Sequence, residues 1–263
     1  SRPGLPAGRP TLLYFHGGAW MLGDKAGHSL PLLYNVALKA GWVVLTANYA
    51  LSTAQGGGAS FPRHLHDCLR AVAWARSADA CQYGGGGRTL VVAGESAGGH
   101  LACLVGLTCE TSRLHPADLA GLDLRVDGVL DLYGLHDPWK YSAELFRHAV
   151  IRRSRRDEEG MQVWNDATPM WWVEEAGEGH GPCPPPFFIV HGTHDALIPL
   201  QDARDFHQQL QIARRSRGSR GVSDIFVEVP GALHAFNFVH SPLSYALSDS
   251  VVIFLQSVDA ATS

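Results

Sequence analysis

Between residues 88 and 107 the chain passes from an apolar, β-branched run, Arg88-Thr89-Leu90-Val91-Val92-Ala93, through Gly94-Glu95-Ser96-Ala97-Gly98 into a helix-like stretch, Gly99-His100-Leu101-Ala102-Cys103-Leu104-Val105-Gly106-Leu107. A strand that must become a helix within five residues leaves little room for side chains, and the small residues around Ser96 meet that steric demand. This is the G-x-S-x-G elbow in the strand-to-helix context that gives it meaning; the pentapeptide alone is only moderately specific. It calls for a strand followed by a crossover helix, and it lifts the Ser96 hydroxyl to the sheet edge, where a base can take its proton.

Upstream, Thr11-Leu12-Leu13-Tyr14-Phe15 reads as a buried strand running straight into His16-Gly17-Gly18-Ala19-Trp20. Alone, this would be an ordinary Gly-Gly turn. Paired with an elbow it reads as an oxyanion loop, in which glycines let backbone N–H groups face a developing negative charge. The donors assigned are Gly18, Ala19 and Ala97 N–H, with Gly17 shaping the turn.

A base and an acid are expected in the order Ser, Asp, His. Pro186 to Gly192 forms a strand pattern followed by Thr193-His194-Asp195, and Asp224 to Val229 forms another followed by Gly231-Ala232-Leu233-His234. Asp195 and His234 thus fall at strand C-terminal ends, where open α/β sheets bind their ligands. The chain has 14 His and 25 acidic residues, so rivals exist. Asp131 and Asp137 follow the strand-like run Val126 to Leu130, and Asp137 is the stronger rival acid. His16 is expected to brace the oxyanion loop, His64, His66 and His100 to lie on helices, and His191 and His194 to flank the acid loop.

Taken together, His16-Gly17-Gly18-Ala19-Trp20, Gly94-Glu95-Ser96-Ala97-Gly98-Gly99-His100-Leu101, His191-Gly192-Thr193-His194-Asp195 with Ile198-Pro199, and Gly231-Ala232-Leu233-His234-Ala235-Phe236 resemble the α/β-hydrolase esterases of the hormone-sensitive-lipase-like group, especially mycobacterial lipase-type carboxylesterases. The resemblance implies a mostly parallel sheet with helices on both faces and hydrolysis of small-molecule carboxylic esters. It also implies a Ser96, Asp195, His234 triad working without metal or organic cofactor. Amide-directed hydrolases (arylformamidases, prolyl-oligopeptidase-like peptidases) and catalytically silent ligand-binding members of the fold are the alternatives. The family's common HGGG is HGGA here, which keeps the backbone donor and adds a methyl group. The oxyanion loop also comes unusually early, and with Ser1 in place of Met this suggests a segment cut from a longer protein, with N-terminal strands missing.

At 263 residues and 46% hydrophobic content, one α/β domain spanning 1–263 with a substantial core is expected. A net charge of −4 gives no general attraction to nucleic acid. Five cysteines, Cys68, Cys81, Cys103, Cys109 and Cys183, form no C-x-x-C pair, and their odd number argues against a closed disulfide framework and leans toward a reducing, cytoplasmic setting. Oligomeric state, and membrane attachment of a longer parent chain, stay open.

Further strands and helices alternate in the manner of βα units. Trp42 to Tyr49 reads as a strand, and Pro62 to Ala78, Ala203 to Ala213 and about Leu243 to Ser257 as helices. Gly56-Gly57-Gly58 and Gly84 to Gly87 read as flexible connectors. Arg214 to Gly221 reads as a solvated loop, and Arg152 to Arg156 with Asp157-Glu158-Glu159 as an exposed helix with charge pairing. The region from about 135 to 186, rich in Trp and Pro, breaks the rhythm and reads as a lid or cap excursion whose aromatics pack onto the main domain, wall an acyl pocket, or both.

Overall fold

The computed structural model describes residues 7–27, 30–53, 58–153, 156–218 and 221–262. In chain order its elements are β1 (Thr11–Phe15), α1 (Leu30–Ala40), β2 (Val43–Ala47), α2 (Arg63–Arg76), α3 (Ala78–Cys81), β3 (Leu90–Glu95) and α4 (Ala97–Thr108). After β4 (Gly128–Leu132) come α5 (Pro138–Tyr141), α6 (Ala143–Phe146), a π-helical turn (Arg147–Ile151), α7 (Glu158–Asp166) and α8 (Pro169–Gly177). The fold closes with β5 (Phe187–Gly192), α9 (Leu200–Arg217), β6 (Ile225–Val229) and α10 (Pro242–Thr262).

The strands form one sheet in the order β2-β1-β3-β4-β5-β6, every neighbouring pair parallel. Successive side chains of a strand point to opposite faces, and β1 divides accordingly. Leu13 and Phe15 join a core with Leu65, Leu69, Leu101 and Leu104 of α2 and α4, whereas Leu12 and Tyr14 join one with Leu32, Val36, Val251 and Leu255 of α1 and α10. Both faces are therefore covered, which is why the strands read as continuous apolar runs.

Three sequence expectations need correction. Asp131 does not follow a strand but lies inside β4, fully buried. The basic run at 214 is not a loop: helix α9 continues to Arg217 and ends on Gly218 at φ 62°. Arginine is a good helix former and suits the negative end of the helix dipole. Arg214 folds onto Asp224 (Nη2 to Oδ1, 2.6 Å) and donates to the Pro184 and Pro185 carbonyls, tying α9 to the entry of β5. Gly84 to Gly87 is a close backbone crossing, not a free connector. Gly8 and Arg9 N–H donate to the Gly85 and Gly84 carbonyls at 3.0 Å, and a Cβ on Gly87 would stand 2.6 Å from the Gly8 and Arg9 oxygens.

Within the other basic run, Arg153 pairs with Glu159 as expected, but the helix begins only at Glu158, on an Asp157 cap whose side chain accepts from Gly160 N–H. Ser154, Arg155, Gly56, Gly57, Ser219 and Arg220 lie outside the described residues. The excursion between β4 and β5 is largely helical. Phe146 and Trp164 are fully buried there and meet Trp20, His100 and Trp139 edge-on or tilted, so these two aromatics are core. Trp139 and Trp171 instead border a cavity of about 240 Å³ together with Asp137 and Glu174.

Candidate active site

The turn after β3 puts Ser96 at φ 52°, ψ −118°, a conformation that costs energy for any residue with a Cβ. It is held by Ser96 N–H on the Leu132 carbonyl (2.9 Å) and His100 N–H on the Ser96 carbonyl (3.0 Å). Helix α4 approaches β1 so closely that a Cβ on Gly98 would stand 2.2 Å from the Phe15 carbonyl oxygen. Six described non-glycine residues have positive φ, and five of them, Ala19, Trp20, Ser96, Tyr133 and Ala235, lie on the oxyanion loop, the elbow, the end of β4 and the loop after β6.

The structure brings together the three residues that the sequence nominates. His234 Nδ1–H donates to Asp195 Oδ2 at 2.6 Å, which leaves Nε2 as acceptor for the Ser96 hydroxyl at 2.9 Å. The Asp195 side chain is shielded from solvent, and its Oδ1 accepts Leu197 and Ile198 N–H at 2.9 and 3.0 Å. Burial alone would raise the Asp195 carboxyl, but the hydrogen bond and electrostatic attraction of His234, with the two backbone donors, outweigh it, and the group sits below its ordinary range. The acid and base loops are laced to each other. His194 N–H donates to the Ala232 carbonyl (3.0 Å), Gly231 N–H to Thr193 Oγ1 (2.9 Å), and a Cβ on Gly192 would meet the Ala232 oxygen at 2.3 Å.

The loop after β1 lies over the elbow, since a Cβ on Gly17 would be 3.4 Å from Ser96 Cβ. Gly18 at φ 116° closes a tight turn in which its carbonyl accepts Met21 and Leu22 N–H. Gly17 N–H is directed at Glu95 Oε1, 3.5 Å away. Among the described residues, Gly18, Ala19 and Ala97 N–H have no protein acceptor. His16 stacks on Tyr49, whose hydroxyl donates to the His16 carbonyl at 2.8 Å. Behind the loop, Trp20 Nε1–H donates to His100 Nδ1 (3.3 Å), and His100 Nε2–H donates to the Ala167 carbonyl (2.9 Å), joining loop, helix α4 and excursion.

The rival acids sit elsewhere. Asp137 caps α5, accepting Trp139 and Lys140 N–H. Asp131 contacts His136 Nε2 at 2.8 Å while Asp202 contacts Nδ1 at 2.9 Å, an ion cluster wholly buried and stacked on Phe206. Burial would push His136 down, yet the two carboxylates outweigh it and its pKa lies well above the usual imidazole value. Cys103 joins Asp131 and His136 in a group compact enough for a metal ion. Both His136 nitrogens face carboxylates, however, and burial pushes the Cys103 thiol up to about 12, so these are poor ligands. His191 donates to the Ile198 carbonyl (2.8 Å) and comes within 3.4 Å of Asp195 Oδ2, bracing the acid loop from behind. His64 is buried against Ser52 Oγ, and His194 contacts Thr193 Oγ1. Sequence reasoning missed Tyr133, Asn237, His136 and Asp202, none of which carries a local pattern.

A parallel sheet with helices on both faces, a strand-turn-helix elbow and a Ser-His-Asp hydrogen-bonded row at its C-terminal edge define the α/β-hydrolase class. Residues 5–210 match BD-FAE, and the chain belongs to that family, within the hormone-sensitive-lipase-like α/β-hydrolase esterases. It is 31% identical to the esterase LipC of Mycobacterium tuberculosis over 97% of its own length and 60% of that protein's. It is equally similar to the probable carboxylic ester hydrolase LipM of the same organism, over 95% and 55%. The chain thus spans little more than half the length of the curated relatives it matches. Among solved structures, a thermophilic esterase from Thermogutta terrifontis superposes with a TM-score of 0.71 at 20% identity, covering 97% of this chain and 83% of that one. A bifunctional GH43-CE protein of Bacteroides eggerthii gives 0.74 at 20%, covering 95% and 34%. No described helix is long and apolar enough to cross a membrane.

Proposed function

We propose that the chain hydrolyses carboxylic esters of small molecules through an acyl-enzyme on Ser96. The observation that carries this is the continuous row from Asp195 through His234 to Ser96, with contacts of 2.6 and 2.9 Å. His234 takes the Ser96 proton as Oγ attacks the ester carbonyl, and Asp195 holds the tautomer and stabilises the imidazolium that forms. The tetrahedral oxyanion is received by the N–H groups of Gly18, Ala19 and Ala97, which have no protein acceptor among the described residues and so have no bond to give up. His234 then protonates the leaving alkoxide. Water, activated by the same imidazole, attacks the acyl-enzyme and restores Ser96. The names of the relatives, an esterase and a probable carboxylic ester hydrolase, agree with this chemistry.

The test is a panel of p-nitrophenyl esters of increasing acyl length, run beside formyl and peptide amides. Turnover of the esters, with kcat lowered about a million-fold in Ser96→Ala and fluorophosphonate labelling abolished with it, is the expected result. Faster cleavage of the amides would move the substrate class, and a flat zero throughout would favour a binding role.

A further inference from the structure

We propose that Tyr133 is a positioning residue that holds His234 in register with Ser96 through a buried hydrogen-bonded chain with Glu95 and Asn237. This rests on the catalytic reading of Ser96 and His234 given above.

Tyr133 is the first residue after β4, beside the elbow, because Leu132 pairs with Glu95 in the sheet. It adopts φ 43°, a left-handed conformation that a bulky residue keeps only where its surroundings over-determine it. Two bonds fix the backbone there: Tyr133 N–H on the Val190 carbonyl (2.8 Å) and Gly134 N–H on Asp131 Oδ1 (3.0 Å). The left-handed turn sends the ring beneath the catalytic face, where it meets the His234 imidazole edge to face at 4.7 Å and Phe236 at 5.7 Å.

The hydroxyl at the far end of the ring offers its one proton to two acceptors, Glu95 Oε2 at 3.2 Å and the side chain of Asn237. Glu95, Tyr133 and Asn237 are all essentially without solvent exposure. A polar group stripped of water keeps its partner far more strictly than an exposed one. The other Glu95 oxygen faces Gly17 N–H on the oxyanion loop. One chain therefore links the oxyanion loop, the residue preceding the nucleophile, the end of β4 and the loop that carries the base. That last loop has its own strained residue at Ala235, φ 61°, between the imidazole and the Asn237 anchor. An anchored Asn237 and a ring packed against His234 fix the imidazole from two sides, whereas the catalytic contacts themselves reach it only through its nitrogens.

The experiment is a double-mutant cycle of Tyr133→Phe and Asn237→Ala on p-nitrophenyl butyrate, with the fluorophosphonate labelling rate of Ser96 measured in parallel. Both single variants are expected to lower kcat about ten- to hundredfold, as a misplacement of catalytic groups does, with KM within about threefold. The labelling rate should fall with kcat, and the double variant should be no slower than the worse single one, since either change breaks the same chain. A folded Tyr133→Phe protein with wild-type kcat and labelling rate would overturn the proposal, as would losses that multiply in the double variant. If Tyr133→Phe fails to fold, Asn237→Ala carries the same decision, and failure of both to fold would make the chain structural and end the positioning role. Labelling of the wild type on a serine other than Ser96 would instead remove the catalytic reading itself, an outcome visible before any variant is made.

Discussion

Gly94 and Gly98 face each other across the elbow so closely that a Cβ on Gly94 would stand 2.1 Å from the Gly98 carbonyl oxygen. The outer glycines of the motif answer two different close approaches: Gly94 that of the first turn of α4, and Gly98 that of the end of β1, where a Cβ would stand 2.2 Å from the Phe15 carbonyl oxygen. Because the obstructing atoms are backbone, no side-chain rotation relieves the clash. Gly94→Ala and Gly98→Ala should each destabilise the protein by more than about 3 kcal/mol, the upper range for an overpacked side chain. Gly27→Ala, with nothing within 4 Å of its added Cβ, is the control and should be near neutral. Denaturant midpoints compare the three, and a stable Gly94→Ala protein would contradict this geometry.

The two candidate acids separate on a simple substitution. Asparagine can still accept the Trp139 and Lys140 N–H bonds that Asp137 accepts as a helix cap, so Asp137→Asn should change kcat by less than about threefold. Asp195→Asn presents a donor or a neutral acceptor to His234 Nδ1, favours the wrong tautomer, and should cost on the order of 10⁴ in kcat. Losses in the opposite order would transfer the acid role to Asp137.

Acid stability follows from two buried neutral imidazoles. Burial, reinforced at His64 by the Arg152 charge, lowers His64 to about 4, and burial lowers His100 to about 3. The unfolded chain, with imidazoles near 6.5, binds these protons first, so stability is complete above about pH 6.5 and falls as pH drops toward the folded values. Each group contributes a slope of up to about 1.4 kcal/mol per pH unit. His136, raised by Asp131 and Asp202, has the opposite sign: its contribution is full below about pH 6.5 and is lost only as pH climbs through its folded value. Unfolding free energies measured from pH 7 to 4.5 should therefore decline steadily. In His64→Gln the slope should lessen by about one proton's worth. A wild-type profile flat over that interval would sink the argument.

Strands and motifs were legible in the sequence for the same physical reason that they are local. A strand buried on both faces, such as Leu90 to Ala93, must be apolar at every position, and a turn as tight as that at Gly18, or a backbone approach as close as that at Gly94, admits only glycine. The chain through Glu95, Tyr133 and Asn237 was not legible, because Tyr133 and Asn237 are 104 residues apart and nothing in either neighbourhood marks the other. The same holds for His136 and Asp202, 66 apart. Arg214 was misread for a different reason. A run of arginines looks like solvated loop, yet on a helix its long stem can lie along the protein and deliver the guanidinium to Asp224, a carboxylate almost wholly buried.

The HGGA loop supplies the last prediction. Ala19 sits at φ 51°, where glycine is more at ease than alanine, so Ala19→Gly relieves strain at no loss of the N–H and should keep kcat within about tenfold. Proline is a poor probe of the donor, because its φ is locked near −65° and cannot follow the turn. Replacing the Ala19 residue by its α-hydroxy acid converts that one N–H to an ester oxygen and leaves the side chain unchanged. Ala19 N–H has no protein acceptor among the described residues, so its loss breaks no bond, but the Gly18 carbonyl becomes a weaker ester acceptor for Met21 and Leu22 N–H; the variant should therefore stay folded with a modestly lowered melting temperature. The exchange should lower kcat by about 10² to 10³, the cost of one lost oxyanion contact. Near-normal kcat in the folded ester variant would mean that Ala19 N–H does not meet the oxyanion and that the charge is carried by Gly18 and Ala97 without it.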